Sequence, residues 1–236
     1  MKFHKKLVAG LMLAANLVIS AHAASGGIPW DKAPIDVTNQ ASLQNGARIF
    51  VNYCLSCHSA AFMRYNRLQD IGLTEEQIKE NLMFTTDKVG NVMKAAIDPI
   101  EAKKWFGAAP PDLTLIARSK GTDYLYAYLR GFYQDPTRPT GWNNVVFDKV
   151  GMPHALWEQQ GIQAVKLDNK GMPVMKDDGH GGHVPDLYWV STGSMTRMTK
   201  SGNVVTTEYD NYARDLVNFL SYMGEPAQLE RKRIGY

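Results

Sequence analysis

Cys54-Leu55-Ser56-Cys57-His58 is the stretch that decides the fold of this chain. Its two cysteines stand one helical turn apart, so both thiols can face the same side. Each thiol can then add to a vinyl group of one porphyrin, and the imidazole of the next residue can reach the iron from that side. The pentapeptide therefore predicts one covalently attached haem c, bound by Cys54 and Cys57, with His58 as an iron ligand.

Other sites also use two cysteines at this spacing, namely a dithiol redox site or half of a zinc site. Zinc needs further ligands, and the chain has no third cysteine. A thioredoxin-like dithiol needs a strand before the motif, whereas residues 42–53 have the pattern of a helix. A chance occurrence of the five residues is the remaining alternative, and the rest of the chain argues against it.

Residues 1–23 have the composition of a secretory signal peptide. The basic start lies at residues 2–6, the apolar run at residues 7–19 and the small-residue cleavage site at residues 21–23. The apolar run of 13 residues is short for a bilayer span. We expect cleavage before Ala24, export, and a haem domain formed by residues 24–236. Haem is attached to thiols outside the bacterial cytoplasm, so the signal and the motif agree.

Charge and cysteine content limit the function classes. The chain has 26 Lys+Arg against 23 Asp+Glu. The three lysines of the predicted signal account for the difference, so the exported part is formally neutral and lacks the basic surface that nucleic acid binding needs. Both cysteines belong to the motif, which leaves no disulfide framework for an exported protein. We therefore expect the haem to lie at the centre of the hydrophobic core.

Two helices are predicted to cross over this haem. The helix before the motif carries Gly46 and Phe50 on one face, and glycine permits close approach of another helix. A final helix over residues 207–223 carries an apolar stripe and ends at Gly224. Between these two helices, the sequence predicts a capping box at residues 74–77, a helix over 113–118 capped by Asp112, and a helix over 122–131. It then predicts an irregular stretch over 132–151 and a small hairpin around 168–171. The predicted fold class is mainly α, with a class I cytochrome c-like core, long loop insertions and a small β-hairpin.

The candidates for the second iron ligand are the three histidines and nine methionines that follow the haem motif. Most methionines of such a chain belong to its core. Met63 is too close to His58 to reach the opposite haem face, and Met223 belongs to the stripe of the final helix. Met152 and Met172 each lie in a stiff Gly-Met-Pro segment that can present a thioether.

The surroundings of these two methionines differ. Met172 lies among charged residues, as in an exposed hairpin, whereas Met152 is followed by an apolar segment over residues 153–157. We predict Met152 as the second ligand, with Met172 and His180 as alternatives. Thioether opposite imidazole raises the reduction potential and fills the coordination shell, which favours electron transfer over oxygen chemistry. No residue is then needed as a catalytic acid or base.

The chain resembles the cytochrome c1 family, the haem subunits of the bacterial quinol:cytochrome c oxidoreductase (cytochrome bc1) complex. The likeness extends through most of the exported part, in the order of the family's motifs: Tyr53 to Ser59, Ala109-Pro110-Pro111-Asp112-Leu113 through Ala117-Arg118, Gly151-Met152-Pro153, and Asp215 to Leu220 followed by Gly224-Glu225-Pro226. The later motifs are weak one by one and specific together.

This resemblance implies a ligand set. It implies thioether bonds at Cys54 and Cys57 and iron ligation by His58 and Met152. It further implies that Arg118 neutralises a haem propionate, with help from Tyr124. An ordinary cation at the C-terminus of a helix is the alternative for Arg118.

The resemblance also implies partners. The Rieske iron-sulfur protein would reduce the haem, a cytochrome c would accept the electron, and cytochrome b would be the membrane partner on the periplasmic side of the bacterial inner membrane. The chain alone would catalyse no bond chemistry.

One feature departs from the family pattern. The family continues past the region of Glu230 to Arg233 into a transmembrane helix, and no such apolar run precedes Tyr236. Either membrane attachment then depends on partners, or the sequence is truncated. A free soluble periplasmic electron shuttle and a haem enzyme or sensor with an open iron site are the competing functions. Long excursions beyond a minimal one-haem fold argue against the shuttle.

Overall fold

The computed structural model describes residues 31–178 and 182–235. The predicted signal peptide and His180 lie outside these residues. The helices, in chain order, are α1 Gln40–Ile49, α2 Glu75–Leu82, α3 Pro99–Phe106, α4 Ile116–Lys120, α5 Thr122–Arg130, α6 Trp157–Gln160, α7 Thr207–Gly224 and α8 Gln228–Arg233, with a π-helical turn at Phe50–Cys54 and a 3-10 helix at Tyr65–Ile71.

The strands are short. They are β1 Ala60–Arg64, β2 Val92–Met93, β3 Phe132–Gln134, β4 Trp142–Asn144, β5 Gly161–Val165, β6 Met175–Asp177, β7 His183–Pro185, β8 Leu187–Thr192, β9 Arg197–Met198 and β10 Val204–Val205. Four of them form one sheet in the order β4-β3-β5-β8, in which only β3 and β5 run parallel. The remaining strands form two-stranded pairs.

Helix α1 delivers the haem motif. Its N-cap is Asn39, whose side chain accepts a hydrogen bond from the backbone N–H of Ser42 at 3.1 Å, so the helix begins two residues before the predicted start. The helix continues without a break into the π-helical turn, which ends at Cys54. The first cysteine of the motif is thus fixed at the end of a helix.

Helices α1 and α7 cross at Gly46. A Cβ atom at Gly46 would lie 2.1 Å from the carbonyl oxygen of Asp215 and 2.6 Å from Cβ of Phe219. Phe50 packs against Phe219 with 5.8 Å between ring centroids. The prediction of a glycine-mediated crossing of the two helices is confirmed, and both helices contribute to one apolar core.

A buried carboxylate joins the same two helices. One oxygen of Asp215 accepts hydrogen bonds from the Ser42 hydroxyl at 2.7 Å and from the Arg214 guanidinium at 2.8 Å. Its other oxygen accepts from Nδ2 of Asn45 at 2.7 Å. A buried carboxylate is stable in this position because several hydrogen-bond donors replace the water that it loses on burial.

Replacing Asp215 by alanine is expected to lower the free energy of unfolding by about 2–3 kcal/mol, because the donors of Ser42 and Asn45 lose a buried acceptor. Arg214→Ala is the control, since it removes a partly exposed partner and is expected to cost less than about 1 kcal/mol. Thermal unfolding of the haem-loaded variants measures both. Equal losses would show that the Arg214 ion pair, rather than the inter-helix bonds, stabilises the crossing.

Several local predictions are confirmed. The capping box is present, with the Thr74 hydroxyl accepting from the N–H of Gln77 and the Gln77 side chain accepting from the N–H of Thr74. Helix α5 spans the predicted segment and α7 ends at the predicted glycine. Helices account for more of the described residues than strands do, and the class I cytochrome c-like core stays a prediction.

One prediction about the region between these helices is wrong. Residues 132–151 are not irregular throughout, because β3 and β4 pair antiparallel there. The predicted small hairpin is present: Leu167 and Pro173 form an antiparallel bridge, and the N–H groups of Asp168 and Val174 donate to the carbonyls of Met172 and Lys166, each at 2.8 Å. The adjoining strands pair elsewhere, β5 with β8 and β6 with β7. These strands are short and flanked by turn residues, so the alternation of apolar and polar side chains is too brief to indicate their distant partners.

The first described residues lie on the domain. The N–H of Ala33 donates to the Asp123 carboxylate at 2.8 Å, and Arg130 bonds both Asp31 and Asp210. Across 31–178 and 182–235, the helices lack the combination of length and apolar composition that a membrane crossing requires.

Candidate haem-binding site

The haem motif forms a tight turn directly after the π-helical turn. The N–H groups of Cys57 and His58 both donate to the carbonyl of Cys54, at 3.1 and 2.8 Å. Leu55 is buried and anchors the turn in the core, whereas both cysteines are half-buried free thiols. The backbone therefore fixes the two thiols and the imidazole relative to one another.

The electrostatics of the Cys54 thiol differ from those of a dithiol redox site. Burial, with a smaller effect of Cys57, raises the pKa of Cys54 to about 12. Reactive dithiols instead have a lowered pKa that stabilises the thiolate. Within the described residues, no group of three or more His, Cys, Asp or Glu side chains is arranged to hold a metal ion.

His58 is held in the tautomer that a metal ligand needs. Its Nδ1 donates to the carbonyl of Pro111 at 2.8 Å, so the proton lies on Nδ1 and the lone pair of Nε2 is available for a metal. Burial lowers the pKa of His58, against smaller opposing effects of the Pro111 carbonyl and the Asp112 charge. The imidazole is therefore neutral at neutral pH, as an iron ligand must be.

Asp112 has a different role from the predicted one. The helix begins at Ile116, with Leu115 as its N-cap, so the prediction of an Asp112 cap for residues 113–118 is wrong. The Asp112 carboxylate instead accepts from the N–H groups of Thr114, at 2.8 Å, and Ala61, at 2.7 Å. It joins the proline-rich stretch to the segment that follows the motif. Sequence spacing could not reveal this bond, because Asp112 and Ala61 are distant in the chain.

Met152 and Met172 lie in different environments. Met172 is 61% exposed, which agrees with the exposed turn predicted for it. Met152 is half-buried, and its Sδ accepts a hydrogen bond from the hydroxyl of Tyr128 at 3.4 Å. Further along the chain, Nε2 of Gln159 donates to the hydroxyl of Tyr53, the residue before the first cysteine, at 2.8 Å. The segment after Met152 is therefore joined to the haem motif.

A column of aromatic rings supports the Met152 segment. Tyr124 stacks on Tyr128, Tyr128 meets the edge of Phe132, and Phe132 stacks on His154 with centroids 4.7 Å apart. Burial lowers the pKa of His154 to about 4, against a smaller opposing effect of Gln160, so this ring is neutral and packs as an aromatic group. The spacing of Tyr124 and Tyr128 places these two rings on one side of α5, a signal present in the sequence, whereas Phe132 lies in β3, beyond the end of the helix.

The two lower-ranked predicted site residues lie near this column and near the end of α7. Tyr124 is half-buried at the start of α5, with Nζ of Lys120 5.7 Å from its ring centroid. Arg118 is exposed in the last turn of α4, and its Cγ lies 3.3 Å from where a Cβ of Gly224 would be. The pKa of Glu225 is lowered mainly by its hydrogen bond from Arg231, and the charge of Arg118 lowers it further. Roles of both residues toward a propionate stay predictions.

Two hollows adjoin the segment after the motif. One, of about 150 Å³, is lined by Cys57, Ser59, Pro110 and Asp112, among others. The other, of about 740 Å³, is lined by residues such as Arg64 and Lys94 and contains none of the predicted ligands. We therefore assign the haem site from the positions of the predicted haem-binding side chains, because none of them lines the larger hollow.

The residues present fit a haem c. The donor set combines two thiols one turn apart, a neutral imidazole with Nε2 available and a half-buried thioether. Thiols can form thioether bonds to the porphyrin, and imidazole with thioether is a ligand pair for an electron-transfer iron. The fit therefore rests on chemistry that these side chains supply together.

Comparison with known proteins identifies the family of this chain. A family model for the cytochrome C1 family matches residues 30–169, more than half of the chain. A cytochrome c1 from Allochromatium vinosum is 44% identical over 95% of this chain and 88% of its own length. An ammonia monooxygenase gamma subunit from Nitrosomonas europaea is 42% identical over 100% of this chain and 89% of its own length. A mitochondrial cytochrome c1 haem protein from Solanum tuberosum is 30% identical over 97% and 85% respectively.

Proposed function

We propose, since the chain belongs to the cytochrome c1 family, that it binds one haem c through Cys54 and Cys57 and ligates the iron with His58 and Met152. The function of the chain is electron transfer as the cytochrome c1 subunit of the quinol:cytochrome c oxidoreductase. The haem iron, when bound, accepts and releases one electron at a time. The free-shuttle function is not favoured.

The observation that carries the ligand assignment is the hydrogen bond between Nδ1 of His58 and the Pro111 carbonyl. It orients the imidazole and leaves Nε2 as the only ring nitrogen with a free lone pair. The proline-rich stretch is in turn fixed to the motif by two bonds, from Leu113 N–H to the Ser59 carbonyl and from Ala61 N–H to Asp112. The ring is therefore held before any iron is bound, which reduces the cost of ligation.

The remaining residues have supporting roles in this proposal. Met152 supplies the second ligand, which keeps water and small ligands off the iron. Arg118 neutralises a propionate with the assistance of Tyr124. No side chain acts as a catalytic acid or base, so the chain contributes to an oxidoreductase without bond chemistry of its own.

We place the haem domain, residues 24–236, on the periplasmic side of the bacterial inner membrane, after removal of residues 1–23. Cytochrome b is the membrane partner, the Rieske iron-sulfur protein is the electron donor and a cytochrome c is the acceptor. Membrane association occurs through the complex. Family membership supports these partners.

Purification of the chain from detergent-solubilised membranes tests the assembly. We expect cytochrome b and the Rieske protein to co-purify in constant ratio. The covalent haem is tested in the same material, because the denatured polypeptide should keep the mass of one haem. A Cys54→Ala, Cys57→Ala double variant should lose that mass.

The Nitrosomonas europaea relative is named an ammonia monooxygenase gamma subunit, so a monooxygenase is the competing assembly to test. Recovery of the chain with monooxygenase subunits, and without cytochrome b, would contradict the proposed assembly. Recovery of haem-loaded chain from the soluble periplasm alone would instead support the shuttle.

A further inference from the structure

The hydroxyl of Tyr128 donates a hydrogen bond to the sulfur of Met152. The donor–acceptor distance is 3.4 Å, and the hydroxyl donates because a thioether only accepts. A thioether sulfur has two lone pairs. It can therefore bind a metal with one lone pair and accept a hydrogen bond with the other.

The ring of Tyr128 is fixed from several sides. Tyr124 stacks on it at 6.1 Å with 13° between planes, and Phe132 meets it edge-on at 5.1 Å. The Tyr128 carbonyl also accepts from Nδ2 of Asn144 at 2.8 Å, which fixes the backbone at this turn of α5. The hydroxyl that donates to Met152 is therefore held in one position by these contacts.

We propose that Tyr128 is a positioning residue that holds the Met152 thioether in one orientation and, by donating a hydrogen bond to it, raises the reduction potential of the haem. The inference rests on the proposed function, in which Met152 is the second iron ligand. A hydrogen bond to sulfur draws electron density from it and makes it a weaker donor to ferric iron. The reduced form is favoured as a result.

The expected shift in reduction potential follows from the ordinary strength of a hydrogen bond. Loss of one such bond changes an equilibrium constant by up to about fivefold. For a one-electron couple, a fivefold change corresponds to about 40 mV. Tyr128→Phe is therefore expected to lower the reduction potential by up to this amount, while the retained ring keeps its stacking on Tyr124 and Phe132.

Redox titration of the haem-loaded chain in its complex tests the proposal. Tyr126→Phe is the matched control, because Tyr126 lies on the same helix under the guanidinium of Arg130 and should leave the potential unchanged. An unchanged or raised potential in Tyr128→Phe would overturn the proposal, and so would equal shifts in the two variants. A merely structural role would lower the unfolding temperature without this difference in potential.

The proposed function and the Tyr128 proposal fail in different ways. If Met152→Leu leaves the thioether-to-iron absorption band in place, Met152 is not the ligand and both statements are wrong. If Met152→Leu removes the band and Tyr128→Phe leaves the potential unchanged, only the role of Tyr128 is wrong.

Discussion

Replacing Met152 by leucine is expected to abolish the charge-transfer absorption between thioether and ferric iron while the haem stays covalently attached. Leucine has a similar volume and no ligand atom, so the iron loses its second ligand and the potential falls. Each 59 mV of that fall reduces the one-electron equilibrium constant about tenfold. We expect quinol-dependent turnover of the complex to decrease about tenfold or more.

Met172→Leu provides the matched control for this result. Met172 lies in the same Gly-Met-Pro context but is 61% exposed, so the substitution should leave both the spectrum and the turnover unchanged. A band that persists in Met152→Leu and vanishes in Met172→Leu would transfer the ligand assignment to Met172. Carbon monoxide binding by reduced Met152→Leu, compared with the native protein, reports the open coordination position directly.

Replacing Gly46 by alanine is expected to produce the largest loss of stability. The added Cβ would lie 2.1 Å from the carbonyl oxygen of Asp215, a backbone atom that moves only if α1 and α7 separate. Overpacking of this kind costs on the order of 3 kcal/mol. For a domain of this size that corresponds to a fall in the unfolding temperature of about 6–12 °C. Because α1 delivers Cys54, we also expect less haem-loaded protein.

Gly90→Ala is the control for this substitution. A Cβ at Gly90 would meet no atom within 4 Å, and Gly90 is not among the residues with positive φ. Such a surface change is expected to alter the free energy of unfolding by no more than about 0.5 kcal/mol. Similar unfolding temperatures for both variants would contradict close packing of the two helices at Gly46.

Features that depend on neighbouring residues were predictable from the sequence. The capping box needs only Thr74 and Gln77, and the crossing at Gly46 follows from a glycine and an aromatic residue on one helical face. The haem motif is likewise a local pattern. In each case the residues that carry the signal lie within about two helical turns, although the partner of Gly46 is the distant helix α7.

Features that depend on distant partners were not predictable. The sheet joins β3 with β5 and β5 with β8, and nothing in such short strands indicates which others they pair with. The Asp112 carboxylate had the residue type and position of a helix cap, yet it bonds Ala61 on another segment. The hydroxyl of Tyr128 reaches Met152 only because the aromatic column brings α5 beside the Gly-Met-Pro segment. Tertiary packing decided these contacts.

Single-turnover reduction of the haem in the purified complex tests the central claim most directly. After addition of quinol, the absorbance of the c-type haem should report uptake of one electron per chain, and oxidised cytochrome c should then reoxidise it. Removal of the Rieske protein should abolish this reduction, because the claim assigns that protein as the donor. Equally fast reduction without the Rieske protein, or a reduced haem that cytochrome c does not reoxidise, would contradict the account.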